Sequence, residues 1–221
     1  MEDLDAVWTV LAVDDHPLFL RGFMAAWSRE RPEDRVHGAG ALAEAKCIVD
    51  SCALSLVVTD LRLPDGTGID VCRYVAEARP STPAAVLTTY DAPAIIEASR
   101  RSGARGFFSK DVEVSVLLQG IQRLVVTRGM RSFPEHASVP RFTSRERQVL
   151  QLLLDGASTP QIAGSLGVSS ETAKTHVTSV MGKLGASDRF SAAAAARSWG
   201  FDIALPYLGE DASLPKVQNE Q

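Results

Sequence analysis

Asp14, Asp15, Asp60, Thr88 and Lys110 are the residues of this chain whose types and spacing could do chemistry together. Each stands at or just beyond the end of a short apolar run. Gathered in one place, they would form a pocket of three carboxylates, a hydroxyl and an ammonium. Three carboxylates side by side repel one another and do not all stay ionised without a cation. An oxygen-only ligand set of this kind suits Mg²⁺, which keeps several waters and takes few carboxylates. Such an ion neutralises an incoming phosphoryl group and positions it against a carboxylate nucleophile. Lys110 would meet one phosphoryl oxygen as a point charge, and Thr88 would hydrogen-bond another.

The elements that must position these residues follow from the apolar pattern. Residues 7–13, 54–59 and 84–88 read as strands, short and rich in apolar or β-branched side chains. Residues 36–39 and 106–108 are weaker strand signals. Amphipathic stretches over 18–29, 42–49, 69–78, 92–101 and 112–126 read as helices between them. This alternation predicts a doubly wound α/β fold, a five-stranded parallel sheet with helices on both faces and right-handed crossovers. In such sheets ligands lie beyond the carboxyl ends of the strands. The first strand stops at Asp14-Asp15, the third at Asp60, the fourth at Thr88, and Lys110 follows the fifth. One acid at one strand end would be a loop cap; the full set on one edge is a site.

Composition agrees. At 45% hydrophobic and 23% charged the 221-residue chain can bury a core and stay soluble, and no apolar run approaches a membrane span. The start Met1-Glu2-Asp3-Leu4-Asp5 is too acidic for a secretory signal, so a cytoplasmic protein is expected. Cys47, Cys52 and Cys72 are odd in number and match neither a zinc site nor a C-x-x-C motif, which leaves them as free thiols. Gly66-Thr67-Gly68 is not a dinucleotide fingerprint, and its glycines are expected to serve a tight turn after Pro64-Asp65. The overall charge of −4 hides a split: residues 1–129 hold 14 Lys/Arg against 18 Asp/Glu, and residues 141–203 hold 7 against 5. An acidic part that holds a cation and a basic part that meets phosphates fit this division.

Four segments in the first half carry a family resemblance. They are Val13-Asp14-Asp15-His16-Pro17; Thr59-Asp60-Leu61-Arg62-Leu63-Pro64-Asp65-Gly66-Thr67-Gly68; Val86-Leu87-Thr88-Thr89-Tyr90; and Gly103-Ala104-Arg105-Gly106-Phe107-Phe108-Ser109-Lys110. Together they closely resemble the receiver domain of two-component response regulators, over residues 7–129. The resemblance implies strand order 2-1-3-4-5, with Asp60 as phosphoacceptor. It implies that Asp15 binds Mg²⁺ directly, Asp14 through water, and that Asp60 and the carbonyl of Arg62 complete the set. Thr88 and Lys110 would read the phosphoryl group, and Phe107 falls at the aromatic switch position. Asp-His-Pro after the first strand points to the NarL/FixJ-like branch.

Residues 128–141 contain Gly129, Pro134 and Pro140 and read as a linker, assigned as 130–141 between the domains. From 142 to 203 the pattern is helical only, and residues 204–221 read as a loose tail. Thr143 and Glu146 form a capping box, with Val149, Leu150, Leu153 and Leu154 on one face of the helix behind it. Gly156 stops that helix, Thr159-Pro160 starts a second, and Gly167-Val168-Ser169 turns into a third over about 170–184. Asp188 caps a fourth, which runs to Trp199. Two short helices around a glycine turn read as a helix-turn-helix. The third helix would enter the major groove with Ser170, Lys174, Thr175, Thr178 and Lys183 on its polar face. A plain helical bundle with a solvated face reads the spacing equally well.

Phe142-Thr143-Ser144-Arg145-Glu146, Gln161-Ile162-Ala163, Thr172-Ala173-Lys174-Thr175-His176-Val177 and Lys183-Leu184-Gly185 resemble a LuxR-type DNA-binding domain. That resemblance makes Lys174 and Thr175 DNA contacts, with Thr178 one turn further, and gives His176 a structural place. It also makes residues 188–199 a dimer surface. Thr159-Pro160 replaces the family's commoner Asn-Lys, Ala173 its usual valine, and Thr178 a lysine found in some relatives. A single copy should therefore bind weakly and salt-sensitively, and a dimer on two half-sites would compensate. The expectation is a non-enzymatic transcriptional regulator, phosphorylated by a sensor histidine kinase or a small phosphodonor. It would bind double-stranded promoter DNA as a homodimer, with RNA polymerase as a further partner and no membrane contact. Three alternatives stand beside it: a phosphorylation-independent regulator on the same scaffold, a Mg²⁺-dependent phosphohydrolase, and a module whose helical half binds protein. The phosphohydrolase is disfavoured because its aspartyl nucleophile is commonly followed two residues later by a second aspartate, where this chain has Arg62.

Overall fold

The computed structural model describes residues 6–127, 129–135 and 138–208, so the acidic start and the tail beyond 208 lie outside the described residues. The chain divides into two compact units, with the division between 137 and 138. In the first, β1 (Thr9–Val13), β2 (Arg35–Ala39), β3 (Leu56–Thr59), β6 (Ala84–Thr88) and β7 (Gly106–Ser109) form a parallel sheet in the order β2-β1-β3-β6-β7. Counting these strands alone, the order is the anticipated 2-1-3-4-5. A short hairpin of two-residue strands, β4 (Arg62–Leu63) and β5 (Gly66–Thr67), stands apart from the sheet and is too short to show a strand pattern in the sequence. The helices are α1 (Pro17–Glu30), α2 (Leu42–Ser51), α3 (Gly68–Ala78), α4 (Pro93–Arg101) and α5 (Val114–Val126).

The central strands are buried along their whole length: β3 and β6 show no exposed residue. This is why they read as continuous apolar runs. Trp8, Phe23, Trp27, Leu56, Leu118 and Ile121 belong to one core cluster that packs α1 and α5 against the sheet. Each large side chain so buried contributes roughly 1.5–3 kcal/mol. Asp34 ties the corner after α1: it accepts from the Trp8 N–H (2.9 Å), the Trp27 indole (2.9 Å) and Arg31 Nε (2.6 Å). Burial raises its carboxyl pKa, yet these donors hold it below the ordinary carboxylate value.

The expected start of the first strand at 7 moves to Thr9, and the helix expected from 112 starts at Val114, where Glu113 caps it. One residue of the expected linker is tied to the sheet. Ser132 forms a parallel bridge with Gly106, so part of 128–141 returns to the sheet instead of leaving it.

The second unit is helical: α6 (Ser144–Leu154), α7 (Thr159–Leu166), α8 (Ser170–Lys183), α9 (Arg189–Ser198) and α10 (Phe201–Ala204), then a 3₁₀ turn over Leu205–Tyr207. Side-chain caps begin four of them, at Thr143, Ser158, Ser169 and Asp188. Gly167 ends α7 at φ +63°, in the left-handed region that glycine enters freely. The helix α10 leaves no signal in the sequence, since four residues carry no periodicity. It matters because Phe201 is fully buried and meets Phe142 edge-on at 5.3 Å, which closes the bundle around α6. Ala204, assigned to the tail, is buried as well.

Candidate functional site

The acidic pocket is built at the carboxyl ends of β1, β3, β6 and β7. Backbone bonds set its corners: the Asp14 N–H donates to Ala39 O (2.9 Å), the Asp60 N–H to Val13 O (2.7 Å) and the Lys110 N–H to Thr88 O (3.0 Å). Asp14 and Asp60 are 3% and 8% exposed and Thr88 is 1%, so burial gives their polar groups few alternatives to one another. Lys110 joins two of the acids directly, with Nζ 2.5 Å from Asp14 Oδ2 and 2.7 Å from Asp60 Oδ1. Burial pushes the Lys110 pKa down, but hydrogen bonds to Asp14 and Asp60 outweigh it and hold the ammonium above its ordinary value. The other Asp60 oxygen accepts from the Arg62 N–H at 2.9 Å. The Thr88 hydroxyl accepts from the Tyr90 N–H at 3.3 Å.

Asp15 lies at the rim with its side chain 36% exposed, and His16 Nδ1 is 2.8 Å from Asp15 Oδ1 and 3.3 Å from Asp14 Oδ1. Asp14, Asp15 and His16 can therefore offer three ligand atoms to one ion. Sequence reasoning gave His16 no such place; its position directly after two acids was the available signal. Carboxylate oxygens dominate the set, and a hard divalent cation such as Mg²⁺ fits it. The five residues singled out thus come together at one edge, and Phe107 lies buried on β7, 4% exposed.

Gly66 and Gly68 serve the pocket differently from the turn expected of them. Neither has positive φ. A Cβ on Gly68 would stand 2.1 Å from the Asp60 carbonyl oxygen, and one on Gly66 would stand 2.5 Å from Leu42 Cδ2. Close approach to backbone, not turn geometry, requires glycine at 68, whereas at 66 the end of the Leu42 side chain can shift.

In the helical unit, Lys174, Thr175 and Thr178 are exposed on α8, and Ala173, Val177 and Val180 are buried on its other side. His176 is half-buried between the two faces. Lys183 leaves the expected polar face: its Nζ binds Glu146 Oε2 at 2.6 Å and the Arg141 carbonyl at 3.1 Å. Glu146 also accepts from the Thr143 N–H (2.8 Å) and the Ser179 hydroxyl (2.7 Å), and so locks α6 to α8. Burial pushes its pKa up, but Lys183 and these donors overcome that and hold it at about 2.

Residues 10–122 match the family model for the response regulator receiver domain, and residues 140–196 match bacterial regulatory proteins of the luxR family. The probable transcriptional regulatory protein NarL of Mycobacterium tuberculosis is 31% identical over 85% of this chain and 92% of its own. The DNA-binding transcriptional activator DevR/DosR of the same species is 29% identical over 83% and 91%. Among solved structures, the RcsB response regulator of Salmonella typhimurium superposes with a TM-score of 0.64 at 26% identity, over 85% of this chain and 98% of that one. A response regulator RcsB–DNA complex matches with a TM-score of 0.64 at 25% identity, over 87% and 99%.

Proposed function

Because the chain belongs to the two-component response regulators, a receiver domain joined to a LuxR-type DNA-binding domain, we propose that phosphorylation of Asp60 controls promoter binding by its helical unit. The receiver is assigned to 7–129, the linker to 130–141 and the DNA-binding domain to the residues from 142 to the end of α10 at Ala204, with the tail after it.

The observation that carries this reading is the Lys110 bridge between Asp14 and Asp60. An ammonium already bonded to the nucleophile's carboxylate is ready to take a phosphoryl oxygen when one arrives. The Asp60 carboxylate oxygen attacks phosphorus of a histidine-kinase phosphohistidine or a small phosphodonor. The donor's bond to phosphorus breaks as the acyl phosphate forms. Asp14, Asp15, Asp60 and the Arg62 carbonyl would hold Mg²⁺, which when bound supplies positive charge to the transferring group. Thr88 turns its hydroxyl from Tyr90 to the phosphoryl group, and the sheet face around Phe107 rearranges.

The helical unit then binds double-stranded promoter DNA with Lys174, Thr175 and Thr178 of α8, as a homodimer that meets through α9. The sensor kinase and RNA polymerase are its protein partners in the cytoplasm. Intact mass after treatment with a small phosphodonor and Mg²⁺ tests the first step. One phosphate adduct is expected on the parent and none on Asp60→Asn; an undiminished adduct on the variant overturns the assignment.

A further inference from the structure

After α5 the chain turns back on itself. Gly129 has φ +82°, and the Met130 N–H donates to Thr127 O at 3.0 Å. Ser132 then lies beside the outer edge of β7. Its N–H donates to the Arg105 carbonyl at 2.8 Å, and its carbonyl accepts from the Phe107 N–H at 2.8 Å. The Arg100 guanidinium of α4 covers the Phe133 ring at 4.8 Å. On its inner side β7 is paired to β6, with Thr88 opposite Ser109. The strand and the residue before it therefore carry the grip on the linker, at Phe107 and Arg105, and Lys110, which bridges Asp14 and Asp60, follows three residues after Phe107.

We propose that residues 131–133 are a displaceable sixth strand: a strap on the β7 edge that holds the linker in the unphosphorylated protein and lets go when Asp60 captures a phosphoryl group. The inference rests on the reading of Asp60 as phosphoacceptor and adds how the signal leaves the receiver. A ladder of two bonds has little cooperativity, and each bond is worth only about 0.5–1.5 kcal/mol net. A small movement of β7 is enough to break it. Such a movement follows when a phosphoryl group on Asp60 draws Lys110 away from Asp14 and the Thr88 hydroxyl away from Tyr90, because both residues are tied to the β6–β7 pair. The Phe107 N–H is at once a backbone atom of the buried aromatic and the donor to the strap, so displacement of that side chain reaches the linker without an intermediary.

The test is residue-resolved amide hydrogen exchange on the full chain, with and without a small phosphodonor and Mg²⁺, on samples whose intact mass is measured in parallel. With the adduct present, exchange at Phe107 and Ser132 should rise about tenfold, the scale of one or two lost net hydrogen bonds. An adduct with unchanged exchange at both amides overturns the strap and leaves the phosphoacceptor assignment standing. A second arm uses Ser132→Pro, which has no N–H to give Arg105. In the unphosphorylated variant the Phe107 amide should exchange faster while the interior amides of β1 and β3 stay protected, and the variant should bind promoter DNA more tightly than the unphosphorylated parent. If no adduct forms on the parent, the phosphoacceptor reading fails and this arm alone decides. Unchanged Phe107 exchange or unchanged DNA affinity in Ser132→Pro then refutes the strap, and a change in both upholds it.

Discussion

Glu146 shows what one side chain can hold. It closes a capping box with Thr143, takes the Ser179 hydroxyl and pairs with Lys183, so two helices of the DNA-binding domain meet at one carboxylate. Its folded pKa of about 2 lies below the ordinary 4.5, so the charged form is the stabilising one. That stabilisation is complete above about pH 4.5 and disappears as the pH falls towards 2. Glu146→Gln should lower the stability of the domain by about 1–3 kcal/mol at pH 7 and remove this acid dependence. Urea unfolding of parent and variant at pH 7 and pH 3 checks both; equal losses on acidification would refute the assignment. Lys174 has the opposite character. It is exposed and no core contact depends on it, so Lys174→Ala should leave the unfolding midpoint unchanged. One lost phosphate contact should reduce the log–log salt slope of DNA binding by roughly one. An unchanged affinity and slope on a mapped operator would remove Lys174 from the DNA face.

At the scale of elements, the pocket depends on how closely α3 enters beneath Asp60. The Gly68 N–H donates to Leu61 O at 2.8 Å, and the space for a Cβ is already taken by the Asp60 carbonyl. Gly68→Ala must push the helix or the Asp60 backbone aside, at a cost of about 1–3 kcal/mol. Stability should fall and phosphate uptake should slow together, which thermal unfolding and timed mass spectra on one preparation measure. A variant that loses neither would show that α3 can retreat freely. The hairpin between β3 and α3 has a second use. Asp65 at its tip accepts from the Leu42 N–H at 2.7 Å and the Ala43 N–H at 2.9 Å, and caps α2 from 22 and more residues away. The Ala43 and Leu42 N–H groups hold its pKa below the ordinary value. Ala41, the residue at the local cap position, has no side chain able to do this.

For the whole molecule, the question is what a phosphoryl group on the receiver changes in the helical unit. On the polar face of α8, Lys174 is the one lysine without an ion-pair partner among the described residues of that helix, since Lys183 is bound to Glu146. One copy should therefore grip DNA weakly, and two copies on adjacent half-sites add their contacts. Phosphorylation should then shift the protein towards dimer, with Thr88 as the proposed sensor. On the proposed reading Lys110, already bonded to Asp60, would stay so, whereas the Thr88 hydroxyl, which accepts from the Tyr90 N–H, would turn its proton to a phosphoryl oxygen. Thr88→Ala should accept phosphate yet dimerise less. Sedimentation velocity with and without a phosphoryl mimic decides: an equal response of parent and variant removes Thr88 as sensor, and no response of either removes dimerisation as the switch.

Residue order alone determined the alternation of strand and helix, the edge where Asp14, Asp15, Asp60, Thr88 and Lys110 gather, and the capped helices around the Gly167 turn. These are local properties, since side-chain period, capping and strand-end chemistry act within a few positions. Tertiary structure decided what depends on residues far apart. It bonded Lys110 to Asp14 across 96 positions and turned Lys183 from the polar face of α8 to Glu146. It also set Gly68 against the Asp60 carbonyl and brought Ser132 back to β7. None of these four has a sequence period. Each follows from strand register, helix approach and the chain's return path, which only a complete packing of the core fixes.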